Sequence, residues 1–309
     1  MISSLTRRRF LAISASAAAA PALAGQPAAH WRGLALGAGA SMQLAGLAPD
    51  RAAPVFSSVE AELRRLEAIF SLHRRGSAID RLNRDGRLDH PPAELLEVLT
   101  LAGRLHDVSG GAFDPTIQPL WQLQAAGAIS GHPPGVGDLS ATLRRTGWRH
   151  LRMDTGQIAF ARPGMALTLN GIAQGYITDR VASLLHARGL QDILIDMGEI
   201  VASGTRSDGS AWVAGVARPD GRVVHKVQLR DRALATSSPS GTLLDPRGEV
   251  GHILHPATGL SAMGQGVVSV SAPRAALADG LSTACCLLSA EGAATAVAAF
   301  PDARLEVIA

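Results

Sequence analysis

Two oxygen-bearing side chains stand four residues apart in Ala278-Asp279-Gly280-Leu281-Ser282-Thr283. On a helix, positions i and i+4 share a face, so the Asp279 carboxylate and the Thr283 hydroxyl would project one turn apart. Hard cations such as Mg2+ take oxygen ligands of this kind, and waters and substrate phosphates complete the shell. The same pair also suits a structural role, with Asp279 near a helix N-terminus and Thr283 bonding back to a carbonyl.

Three further segments carry candidate chemistry. Leu169-Asn170-Gly171-Ile172-Ala173-Gln174-Gly175-Tyr176 reads as a strand end feeding a helix through two glycines. Unpaired N–H groups and a positive dipole end there can receive a phosphate, and glycine allows close approach; alone, the turn is also a plain helix cap. Ser109-Gly110-Gly111-Ala112-Phe113-Asp114-Pro115-Thr116 sets one aromatic among small residues. Phe113 can stack on a flat ring and Asp114 can accept bonds from a base or ribose, or the segment is a loop anchored by an aromatic. In Gly251-His252-Ile253-Leu254-His255-Pro256-Ala257-Thr258-Gly259 the histidines invite a metal or acid/base role, but no Cys or carboxylate spacing supports zinc.

The elements that must position these residues follow from periodicity. Val59, Leu63, Leu66, Ile69 and Phe70 recur at helical spacing, and Leu95, Leu96, Leu99, Leu101 and Leu105 predict a second helix begun by Pro91-Pro92. From Trp148 the period shortens. Strands are predicted at 151–153, 157–161 and 165–169, then a helix over about 171–188 closed by Gly189, and a buried strand at 193–195. Further strands are expected at 212–217, 223–229, 233–236 and 267–271, then a helix pair and a closing strand at 305–308. Hairpins mix with helical crossovers, so the fold class is α+β rather than a doubly wound parallel sheet.

The length of 309 residues, with 47% hydrophobic and 18% charged residues, describes a globular chain. Its formal charge of +3 resides in Arg7, Arg8 and Arg9, and the remainder balances, which removes the electrostatic case for nucleic acid. Residues 1–24 read as an export signal: a basic start, the apolar run Phe10 to Ala20 and the small-residue end Ala22-Leu23-Ala24. The run is short for a bilayer span, so no stable membrane span is expected. Thr6-Arg7-Arg8-Arg9-Phe10-Leu11 resembles the twin-arginine pattern, which predicts a periplasmic protein exported folded; a Sec leader or an uncleaved anchor is the alternative. Residues 25–309 then form one functional unit. Adjacent Cys285 and Cys286 are poorly placed to bridge each other.

The order of these segments resembles the ApbE family of FAD:protein FMN transferases from about Gly33 to the C-terminus. Gly33-Leu34-Ala35-Leu36-Gly37 is similar to the family's opening Gly-x-Ala-Met-Gly, and Ser77-Ala78-Ile79-Asp80-Arg81-Leu82-Asn83 to Ser-Glu-x-Ser-x-x-Asn. Gly111 to Thr116 matches Gly-Ala-Phe-Asp-x-Thr, while Gly171 to Tyr176 with Asp179 resembles Gly-x-Ala-Lys-Gly-Tyr-x-x-Asp. Ala235-Thr236-Ser237, the His252 to Gly259 segment and Ala278-Asp279 with Thr283 follow in the family's order. The chain departs at Thr168 and His255, where the family has Asp, at Gln174, where it has Lys, and at Met197-Gly198-Glu199, where it has Gly-Gly-Asp.

The resemblance implies a two-lobed, T-fold-related α+β architecture that takes FAD as substrate. Mg2+ would be held by Asp279, Thr283 and a backbone oxygen near Gly171. FAD would meet Leu36, Ala78, Ile79 and Asp80, then Ala112, Phe113 and Asp114, with Thr168, Gln174 and His252 nearer the phosphates. Asp279 and His252 are the expected catalytic residues, His252 as base toward the threonine of an exported acceptor protein, with AMP released. Alternatives are a non-catalytic periplasmic FAD carrier and a metal-dependent FAD pyrophosphatase giving FMN and AMP.

Overall fold

The computed structural model describes residues 27–245, 248, 250–262 and 266–309; the expected leader therefore lies outside the described residues. The described chain opens with a hairpin of β1 (Ala28–Ala35) and β2 (Ala38–Ala45). Leu36 and Gly37 form its two-residue turn with φ of 48° and 82°, the left-handed pair that a tight hairpin needs. Next come α1 (Ala53–Phe70), α2 (Ala78–Asp85), β3 (Arg87–Asp89), α3 (Ala93–Val108), α4 (Gln118–Ser130) and α5 (Val136–Leu143). In α1 the predicted stripe Val59, Leu63, Leu66, Ile69 and Phe70 is buried throughout.

After β4 (Leu151–Met153) and β5 (Gln157–Phe160) the chain forms α6 (Ala173–His186), β6 (Ile193–Asp196), β7 (Ile200–Ser203), β8 (Trp212–Ala217) and β9 (Val223–Leu229). It closes with β10 (Arg232–Ser237), β11 (Val268–Ala272), α7 (Ala275–Cys285), α8 (Ala290–Ala298) and β12 (Arg304–Ile308). The main sheet has seven strands in the order β1-β2-β6-β7-β10-β11-β12, every neighbour antiparallel. This is the α+β class expected from sequence.

Both faces of that sheet are covered, and side-chain alternation divides them. Ile193, Ile195, Val201, Ala233 and Ala235 join the helices in the main core. Leu194, Ile200, Ala202 and Leu234 point the other way, onto Trp212, Val216 and Leu229 of the β8–β9 hairpin. Four buried residues in succession in β7 follow from this two-sided cover. Cys285 and Cys286 are both free.

One expected strand is corrected. Residues 165–169 form no strand and pair with none among the described residues. The Asn83 side chain takes the place of a partner: its Nδ2 donates to the Leu167 carbonyl at 2.8 Å and its Oδ1 accepts the Leu167 N–H at 2.7 Å. The Thr168 N–H donates to the Pro115 carbonyl at 2.8 Å. With its polar groups engaged this way, the segment satisfies its buried backbone without a ladder.

Candidate active site

The glycine turn and the Asp279 helix meet. Gly175 at the start of α6 lies so close to the first turn of α7 that a Cβ there would stand 2.4 Å from the Ala275 carbonyl oxygen. This approach lets the Gly175 N–H donate to Asp279 Oδ2 at 3.1 Å. One turn along α7, Thr283 sits against Gly171, where a Cβ would come within 3.0 Å of Thr283 Oγ1. The i, i+4 pair and the glycine turn thus form one place. From β10, Ser237 Oγ lies 2.7 Å from Ser282 Oγ and 3.4 Å from Thr283 Oγ1.

Asp179, on α6, fixes the angle between the helices. Its carboxylate accepts the N–H groups of Ala275 at 2.7 Å and Ala276 at 3.0 Å, capping α7 from outside its own sequence. Behind α7, Gly280 leaves room for Leu105 of α3; a Cβ would fall 2.2 Å from Leu105 Cδ1. Asp279 is therefore held from two sides.

The pocket around Asp279 is acidic. Burial pushes its carboxyl up to about 7, against the pull of the Gly175 N–H. Glu199, in the turn between β6 and β7, is raised well above the usual carboxylate range by burial and then by the charges of Asp279 and Asp196. Asp196 is itself raised to about 6 by burial, although its carboxylate accepts the Gly198 N–H at 3.3 Å. Glu199 Oε2 is buried with no hydrogen-bond partner among the described residues. No group of three or more His, Cys, Asp and Glu side chains forms a metal cluster among the described residues. A cation here would depend on mixed oxygen donors. The donor set fits a hard divalent ion: a carboxyl group and a hydroxyl, with the Gly171 turn packed against the hydroxyl and the Glu199 carboxyl nearby. Zinc, which favours nitrogen and sulfur, finds no such ligands here.

Gln174 borders this place. Its Nε2 lies 3.5 Å from the Met197 carbonyl, and it packs so closely on Gly198, whose φ is +98°, that a Cβ there would be 2.7 Å from Nε2. Thr168 Oγ1 accepts the Asn170 N–H at 3.3 Å. His252 Nδ1 lies 3.1 Å from the Thr242 carbonyl. A carbonyl only accepts, so Nδ1 carries the proton and Nε2 keeps its lone pair; burial lowers the pKa and holds the ring neutral. His255 Nδ1 instead accepts the Ala257 N–H at 3.2 Å and shapes the loop.

The other expected FAD contacts lie on separate elements. Leu36 holds its left-handed φ with its N–H donating to Glu67 Oε1 at 3.0 Å, the kind of enforced strain that accumulates at binding sites. Ala78 and Ile79 are buried in the main core, and Asp80 accepts the Gly76 N–H at 2.8 Å and faces Arg84. Ala112 and Phe113 are buried too. The Asp114 carboxylate accepts from Thr116 N and Oγ1 and from Trp148 N, at 2.9, 2.7 and 3.0 Å, so it braces its own loop.

Sequence reasoning gave no role to Asn83, Asp179, Ser237 or Glu199. All four stand inside segments compared with the family, Glu199 at the position where the family has the Asp of Gly-Gly-Asp, three residues after Asp196.

A profile described as the ApbE family matches residues 36–308. The FAD:protein FMN transferase of Treponema pallidum is 29% identical over 264 residues, 77% of this chain and 72% of that protein. The FAD:protein FMN transferase of Salmonella typhimurium is 26% identical over 266 residues, 82% and 76% of the two chains. Among solved structures, the flavin transferase ApbE from Vibrio cholerae superposes with a TM-score of 0.78 at 26% identity, covering 88% of this chain and 90% of its own. The apo flavinyl transferase ApbE of Pseudomonas stutzeri gives 0.76 at 28% identity, with 90% of each chain covered.

Proposed function

The chain belongs to the ApbE family, and from that premise we propose that it transfers FMN from FAD to a threonine of an exported flavoprotein, with Mg2+ bound and AMP released. The observation that carries this reading is the convergence of Gly171, Gly175, Asp279 and Thr283 where α6 meets α7. The FAD:protein FMN transferases to which the chain is similar support the same activity.

Asp279 and Thr283, with the Gly171 carbonyl, would hold Mg2+, which when bound would offset the charge that develops on the FAD pyrophosphate. The turn into α6 presents N–H groups to the phosphates, and Gln174 donates hydrogen bonds from its amide. His252 Nε2, kept unprotonated by the bond from Nδ1 to Thr242, accepts the proton of the acceptor threonine as its oxygen attacks phosphorus. The new P–O bond forms to the FMN phosphate as the pyrophosphate bond breaks, and AMP leaves with the electron pair. Leu36, residues 78–80 and residues 112–114 form the rest of the FAD site, and Thr168 lies beside the phosphates.

Export through the twin-arginine route places this reaction in the periplasm, with residues 25–309 as the working unit. No helix among the described residues is long and apolar enough to cross a membrane. Replacing Arg7 and Arg8 by Lys should leave the protein in the cytoplasm; normal export of that variant contradicts the route. Purified protein given FAD, Mg2+ and a threonine-bearing acceptor peptide tests the activity. Flavinylated peptide and AMP are expected. Free FMN with AMP would mean a pyrophosphatase, and unchanged FAD a carrier.

A further inference from the structure

Glu199 is a buried carboxylate with an open oxygen. It directly precedes Ile200, whose partner Leu234 lies on β10, the strand that carries Ser237 to Thr283. The residue is 7% exposed; the Thr236 N–H reaches its carboxylate, yet Oε2 has no partner among the described residues. The charges of Asp279 and, after it, Asp196 act on it. The turn that bears it is fixed in height, because Gly198 is pressed on Gln174 at the start of α6. Keeping two buried carboxyl groups charged is costly, and a cation between them offsets that cost.

We propose that Glu199 is the second carboxylate of the divalent-cation site, its free Oε2 sharing one Mg2+ with Asp279 while Thr283 and Gly171 supply neutral oxygens. The inference rests on the Mg2+-dependent reading above and deepens it. Mg2+ is commonly bound through one or two carboxylates, and two here match its charge. The protein then holds the ion before FAD arrives instead of relying on the pyrophosphate to bring it. Gln174 suits this arrangement: being neutral, it leaves the acidic pair to the metal, whereas an ammonium at that position would compete for Glu199.

Titration calorimetry of the metal-free protein with Mg2+, without FAD, tests the assignment. Glu199→Gln keeps the shape and the Thr236 contact but turns an amide toward Asp279. Mg2+ binding should weaken by about 10- to 100-fold, the range seen when groups supporting a metal site are removed. Without metal the variant should melt no lower than wild type, because a neutral amide carries no cost of burying a charge. Gln174→Lys, which leaves Glu199 in place, should also weaken Mg2+ binding. Unchanged Mg2+ affinity in both variants, with Asp279→Asn still abolishing it, overturns the role of Glu199 and leaves the transferase reading standing. Wild-type protein that binds no Mg2+ without FAD also overturns the role of Glu199, whereas transfer that needs no divalent ion overturns the Mg2+-dependent reading beneath it.

Discussion

Gly175 and Ala275 touch backbone to backbone, and this contact sets how closely α6 meets α7 at Asp279. A Cβ at Gly175 would meet the Ala275 carbonyl carbon at 2.5 Å and the Ala276 nitrogen at 2.7 Å, atoms that cannot swing aside as a side chain can. The same approach places the Gly175 N–H on Asp279. Gly175→Ala should therefore push α6 from α7, lowering unfolding stability by about 1–3 kcal/mol and weakening Mg2+ binding. Thermal melts and calorimetry check it; wild-type values for both would mean the helices have slack.

Asp179 offers a pH-dependent test. Its carboxylate caps α7, and burial raises its pKa to about 6 despite the two N–H donors. The native state thus keeps a proton that the unfolded chain sheds near the ordinary value of about 3.9, so this group's contribution to stability falls as pH rises through that window. Asp179→Asn presents one acceptor and an amide donor to two N–H groups, and should lose about 1 kcal/mol. It also lacks the titration, so its deficit relative to wild type should shrink toward pH 6. Urea unfolding at several pH values measures this; a constant difference would show that Asp179 does not titrate there.

The site was legible in pieces. The stripe of α1 and the pairing of Asp279 with Thr283 rest on helical periodicity, which survives folding because each element supplies its own pattern. The β1–β2 hairpin left a faint signal: its buried positions include Ala29, Ala35, Ala38 and Ala40, and alanine is a poor mark of a strand. Residues 165–169 look like a strand because they are apolar, while their actual partner, Asn83, is remote in sequence and polar. The type of Glu199 was visible, but its burial beside Asp279 depends on strand order.

Asn83 is accordingly predicted to hold the approach to the Gly171 turn. Asn83→Ala deletes both bonds to Leu167 and leaves a buried N–H and C=O unpaired, a cost of about 1–3 kcal/mol for each such group at most. The expected result is a lower melting temperature together with weaker FAD binding, since Thr168 through Gly171 lose their support. Leu167 amide exchange unchanged in the variant would contradict the assignment.

His252 should act on rate rather than on FAD affinity. His252→Ala is expected to lower the transfer kcat by about 100-fold or more, the usual contribution of a positioned base. In wild type, kcat/KM should fall as pH drops through a pKa below the ordinary histidine value, because burial favours the neutral ring. The variant should lose that acid limb. An unchanged limb assigns the base elsewhere.

The central claim is that Asp279, fixed where α6 meets α7, is needed for transfer and far less for holding FAD. Wild type and Asp279→Ala, each incubated with FAD, Mg2+ and acceptor peptide, are compared by the mass of the peptide and by FAD affinity measured separately. The expected result is an FMN adduct with matching AMP from wild type and no adduct from a variant that still binds FAD. Wild-type transfer by Asp279→Ala at limiting Mg2+ would contradict the account.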